Sequence, residues 1–186
     1  MTPGPRIVTQ NPLDIYVESD GVLGVINQSG QLAFTRRGDL RPNGEGILIN
    51  GAGYTVAAEG GGEIQIDPAL IHKISKEGVV YALNPDEEVA EEVEVGRLLL
   101  RNAANTELDK MPDGLFKPAA SNTPEDFEGA DEPVLVTTHG LEGSSVKSYD
   151  VLTRMIEIER AYELKIKIIK ELSDLSEDSQ SLMQVN

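Results

Sequence analysis

Cysteine and tryptophan are absent from the 186 residues, and the aromatics amount to five Tyr and three Phe. Disulfides, thiolate metal sites and a cysteine nucleophile are therefore excluded, and a core of this composition has to be aliphatic. Positive charge is also scarce: 16 Lys and Arg stand against 32 Asp and Glu, a formal net charge of −16. Nucleic acid and anionic membrane surfaces both recruit clustered Lys and Arg, so no nucleic-acid partner is expected. No run approaches the roughly 18 apolar residues that cross a bilayer, so no membrane insertion is expected either. The segment Met1 to Arg6 lacks the apolar stretch of a cleaved secretory signal, so if the protein works outside the cytoplasm it is expected to leave without one.

What is present divides into two unlike parts. From Asn11 to about Tyr81 short apolar runs alternate with turn residues, which predicts strands at 13–18, 22–26, 31–36, 47–50, 54–57, 63–66, 70–74 and 79–83. Leu13, Ile15 and Val17, and again Ile64 and Ile66, place one side of each run on a core. Asp20-Gly21, Ser29-Gly30, Asn43-Gly44 and Asn50-Gly51 are turn pairs suited to antiparallel hairpins. An acidic run, 85–94, precedes a strand at 95–101 in which Leu98 and Leu100 share one face and Leu99 takes the other. Residues 84–132 carry 14 acids and four bases and read as an irregular acidic excursion, with a returning strand at 134–138.

From Val146 to Leu172 there is no Gly or Pro, and apolar residues recur at Val151, Met155, Ile158, Tyr162, Ile169 and Leu172, widened by Leu152, Ile156 and Ile166. Spacings of three and four predict one amphipathic helix, about 40 Å long at 1.5 Å per residue. Ser144 or Ser145 is placed to cap it, and Asp150 with Arg154 and Glu163 with Lys167 are spaced as i,i+4 ion pairs. The fold class is thus mainly β, an antiparallel hairpin-rich domain over 1–140, with one C-terminal amphipathic helix over 141–173 and a polar, disordered tail over 174–186. This helical segment is nearly neutral, so the negative charge belongs to the β domain, its excursion and the tail. A stripe running most of the helix's length needs a second helix, and none with a comparable pattern lies upstream.

Nothing points to catalysis. His72 and His139 stand far apart without a ligand pattern, and read as surface or strand-edge residues. The acidic run lacks the alternation and central Gly of a calcium loop. Gly51-Ala-Gly53 and Gly60-Gly-Gly62 lack the spacing of phosphate loops and read as turn glycines. No catalytic, cofactor-binding or metal site is expected.

Several ordered stretches resemble the flagellar rod and hook family, the axial proteins of the bacterial basal body. Asn11-Pro-Leu13-Asp14-Ile15 is similar to the family's entry into its β domain, and Asp20-Gly-Val-Leu-Gly-Val25 to the strand after it. Thr35-Arg36-Arg37-Gly38 matches the Thr-Arg-x-Gly signature, and residues 40–53 resemble the hairpin that follows. Leu141-Glu142-Gly143-Ser-Ser-Val146 resembles the junction before the helix, with Ser145 in place of the usual Asn. Met155 to Glu163, including Arg160, Tyr162 and Glu163, matches the family's helix motif. Val95 to Leu100 and Asp113 to Phe116 are most like the proximal-rod members, with a distal-rod or hook subunit as the alternative. A small β-domain ligand binder or enzyme is the alternative of another class.

The resemblance implies a structural subunit exported through the flagellum's own type III apparatus. Other rod proteins and copies of itself are its implied partners, in a periplasm-crossing rod that acts as a drive shaft. It also implies that terminal helices pair in an inner layer, and Leu152, Met155, Ile156, Tyr162, Ile166 and Ile169 are the expected assembly seam. The family's Asn-rich N-terminal helix does not occur in these residues.

Overall fold

The computed structural model describes residues 3–84, 92–145 and 148–183. Its strands are β1 (Arg6–Val8), β2 (Ile15–Val17), β3 (Gly21–Ile26), β4 (Leu32–Thr35), β5 (Leu40–Pro42), β6 (Leu48–Asn50), β7 (Thr55–Val56), β8 (Ile71–Ile74), β9 (Val79–Leu83), β10 (Val93–Arg97), β11 (Leu100–Asn102), β12 (Leu108–Lys110), β13 (Phe116–Pro118), β14 (Val136–Thr138) and β15 (Gly140–Glu142). One helix, α1 (Ser148–Met183), follows. The chain forms two compact units, Met1–Gly143 and Ser144–Asn186.

Every strand pairing in the β unit is antiparallel. The largest sheet runs β12-β13-β4-β3-β7-β6-β5, with β11 also on β3, and beside it stand the three-stranded sheet β10-β9-β8 and the pairs β1-β15 and β14-β2. Alternation along β3 sorts its side chains into two clusters. Leu23 and Val25 join Ile15, Val17, Leu40, Leu48, Val56 and Val136 in the main core, whereas Val22 packs with Phe34, Ala57 and Leu99 on the other side. The core is aliphatic as composition requires, with Phe34 the fully buried aromatic and Phe127 meeting its ring edge-on at 4.8 Å.

The turns follow a rule finer than Asn-Gly pairs. Asn27, Asn43 and Asn50 each accept two backbone N–H bonds through Oδ1, from the residues two and four positions on. Ser75 does the same through Oγ. In each turn the residue three positions on is a glycine at positive φ: Gly30 (+76°), Gly46 (+81°), Gly53 (+87°) and Gly78 (+79°). Gly46 and Gly53, rather than Gly44 and Gly51, therefore carry the left-handed conformation, which a Cβ would strain. At the 20–21 turn it is Ser19 that takes positive φ.

Several expectations need correction. Residues 63–66 make only isolated bridges, Ala57 with Glu63 and Ile47 with Gln65, although Ile64 and Ile66 are buried. The strand expected at 95–101 is two strands: β10 pairs with β9, β11 pairs with β3, and the chain changes sheets at Leu98 and Leu99. Its alternation holds, with Leu98 and Leu100 in one cluster and Leu99 in the other. The excursion at 102–132 contains the hairpin β12-β13, which extends the large sheet through β4. The acidic residues 85–91 lie outside the described residues.

The helix begins at Ser148, so Ser145 is separated from it by Val146 and Lys147, which also lie outside the described residues. It does not end near Leu172 but runs to Met183, through the segment read as a polar tail, because no Gly or Pro interrupts 173–183. Among the described residues Lys167 pairs with Glu171 at 4.0 Å, one turn after the lysine, whereas the expected partner, Glu163, stands one turn before it. No helix among the described residues is long and apolar enough to cross a membrane.

His72 lies on β8, an edge strand as expected, but it is buried, with Nε2 unpartnered. Burial lowers its pKa from the ordinary 6.5, and the Asp67 carboxylate offsets this only in part. The folded protein thus favours neutral imidazole while the unfolded chain protonates near 6.5, so stability is full above that pH and declines as pH falls below it. Denaturant midpoints should drop between pH 7 and pH 5, and by less in His72→Gln.

Candidate assembly interface

The signature residues near the two ends of the β unit converge on one buried cation. Arg36 follows β4 and is buried. Its Nη1 donates to the Ser19 and Gly21 carbonyls (2.8 and 2.6 Å), and Nη2 to the Val17 carbonyl (2.7 Å). Nε donates to Glu142 Oε2 at 2.5 Å. The other Glu142 oxygen accepts the Gly4 N–H at 2.7 Å. A guanidinium taken out of water is stable only when charge and donors are both satisfied, and here a carboxylate and three carbonyls supply that.

This node fixes where the chain enters and leaves the unit. Strand β1 pairs with β15 in the register Arg6–Glu142, Ile7–Leu141 and Val8–Gly140, and Gly143 N–H donates to the Pro5 carbonyl at 2.8 Å. A Cβ on Gly4 would lie 1.9 Å from the Gly143 carbonyl oxygen. Gly4 therefore lies beside the strand that leads to α1. The remaining signature residues brace the same corner. Asn11 Nδ2 donates to Asp14 Oδ1 (2.8 Å), and Ile15 N–H donates to the Gly38 carbonyl (2.9 Å). Gly38 packs so closely that a Cβ would meet the Ile15 carbonyl oxygen at 2.0 Å. Leu13 is buried, and Thr35 Oγ1 accepts the Arg37 N–H. Arg37 itself is exposed and grips Asp39 through two bonds of 2.8 Å. Burial opposes Asp39 ionisation, but the Arg37 bonds and the Gly51 N–H outweigh it and hold the carboxyl below its ordinary 3.8.

In the helical unit the expected seam is exposed: Leu152, Met155, Ile156, Tyr162, Ile166 and Ile169 are 48–65% accessible. The signature residues Arg160 and Glu163 are exposed as well. His139 lies in the bend between β14 and β15 at positive φ, exposed and far in sequence from His72. The contact between Arg36 and Glu142 spans 106 positions, and only the unusual placement of a charged residue at the end of a buried strand hints at it in the sequence. Glu142→Gln keeps an acceptor for Gly4 but leaves the buried guanidinium without its counter-charge. Stability should fall by about 3 kcal/mol, with faster amide exchange at Ile7 and Gly143 than in β3.

Family models match both units: the flagellar hook protein FlgE/F/G D1 domain over residues 16–82, and the flagellar basal body rod FlgEFG protein C-terminal region over 139–182. The chain is 33% identical over 176 residues to the flagellar basal-body rod protein FlgF of Salmonella typhimurium, covering 94% of this chain and 69% of that protein. It is 30% identical over 188 residues to FlgF of Escherichia coli, covering 100% and 74%. Against FlgF of Caulobacter vibrioides it is 31% identical over 177 residues, covering 94% and 67%. The chain thus belongs to the FlgE/F/G family of flagellar hook and basal-body rod proteins, as a structural rod subunit of the FlgF type and not an enzyme.

Proposed function

We propose that this chain is an axial subunit of the proximal rod, stacked helically with other rod proteins and with copies of itself into the drive shaft that carries torque across the periplasm. The flagellar type III apparatus delivers it to the growing rod. In this reading the β unit makes lateral contacts and α1 is the assembly seam. The proximal position is supported by the comparison within one organism, 31% identity to FlgF of Caulobacter vibrioides against 28% to its FlgG.

The observation that carries the seam is the exposed apolar surface of α1. Thirteen large apolar side chains from Tyr149 to Leu175 are 45% or more accessible. Full burial of each is worth about 1.5–3 kcal/mol, so association is strongly favoured once partners align. An isolated helix of this kind owes its stability mainly to such packing.

The double variant Ile156→Asp, Ile169→Asp tests this. Rod assembly and swimming should be lost, while thermal unfolding of the β unit stays unchanged because its core lies within Met1–Gly143. Normal rods built from the variant would show that these residues are not the seam.

A further inference from the structure

A groove of about 740 Å³ opens in the β unit between the segment 65–70 and the three-stranded sheet. Ile66 and Leu70 line it on one side, and Ala82, Val93 and Val95 on the other. Register explains the apolar lining. Val93 stands opposite Ala82 on β9, so the two side chains share a face of the sheet. A bulge between Glu94 and Gly96 leaves Val95 without a partner on β9, and Val95 reaches the groove beside Val93. Bulges re-aim side chains in this way. Val93 is left 61% accessible.

Two further features define what fits. The first is a free backbone edge. Strand β10 has β9 on one side, and among the described residues its other edge is taken only at Arg97, whose carbonyl accepts the Glu59 N–H at 2.9 Å. Over Val93–Val95 that edge is open to an added strand, whose alternate side chains would enter the groove. The second feature is charge. Glu45, Asp67 and Glu94 line the groove, all three are exposed, and no Lys or Arg lines it. Among the described residues none of these carboxylates is paired with a Lys or Arg. Lys73 lies in the same cross-strand row as Glu94, through Tyr81, but pairs with Glu92 at 3.0 Å. A slot lined by one sign of charge concentrates ligands of the other.

We infer that this groove binds an extended segment of a partner protein in which aliphatic residues alternate with Lys or Arg. The segment pairs with β10 as an added strand, seats its aliphatic side chains on Ala82, Val93 and Val95, and brings its bases to Glu45, Asp67 and Glu94. Backbone pairing supplies affinity, and the floor and rim supply selectivity. An acidic segment is repelled by the rim. The groove belongs to the β unit alone, so this contact does not rest on the reading of α1 as a seam.

The full chain, isotope-labelled, is titrated with a capped peptide of sequence Gly-Lys-Val-Lys-Val-Arg-Gly while backbone amide shifts are followed by NMR. Saturable shifts are expected at Ala82, Val93, Glu94 and Val95, with slower amide exchange along β10. Exchanging the peptide's bases for Glu, or its valines for Ser, should weaken binding by about tenfold or more, and so should Glu45→Lys combined with Glu94→Lys in the chain. Unchanged shifts in β3 report that the double variant is folded; Glu45→Lys alone, in the β5-β6 turn, gives the same test with a smaller loss if it is not. No shift at these residues with millimolar peptide, equal binding of the acidic peptide, or full affinity in the charge-reversed chain overturns the proposal. Shifts at the same amides on concentrating the chain without peptide assign the groove to a second copy and overturn the partner protein as its occupant.

Discussion

The buried pairing of Arg36 with Glu142 is the constraint on which the path of the chain depends. Arg36 stands at the end of β4, deep in the β unit, and Glu142 stands on the last strand before the helix. Between them the guanidinium also gathers the carbonyls of Val17, Ser19 and Gly21, and the carboxylate takes the Gly4 amide. One ion pair therefore ties together the start of the chain, the β2-β3 turn and the strand leading out. Because removing either charge strands the other away from water, the corner has little freedom to rearrange.

The two units solve the problem of apolar surface in opposite ways. In the β unit, β3 sits between β4 on one edge and β7 and β11 on the other, and both faces are filled by aliphatic side chains. That unit holds its own core. The helix has no such interior; its apolar residues are spread over more of its circumference than one neighbour covers, and its stability in the rod rests, in the proposed account, on contacts between subunits.

Much of this was legible in the sequence, and the failures have physical causes. Strands β2, β3, β4, β8 and β9 follow from alternation and turn chemistry, and the helix from its spacing. Residues 95–101 alternate correctly, yet alternation records only which side is buried and not which sheet supplies the neighbour, so the switch at Leu98 was invisible. The β12-β13 hairpin is short and polar on its exposed side, which gives periodicity little to act on. Glycine positions misled because the asparagine or serine that nucleates each turn fixes the conformation of the third residue beyond it. The signature residues were recognisable as a set, but the contact between Arg36 and Glu142 depends on tertiary folding alone.

The central claim is that α1 completes its apolar surroundings only between subunits. Cryo-electron microscopy of basal bodies containing this chain tests it most directly. The account predicts α1 in a helical layer with Ile158, Tyr162, Leu164 and Ile168 enclosed by neighbouring helices and the β unit outside it. A density in which α1 folds back on its own β unit, or presents those side chains to water, would contradict it.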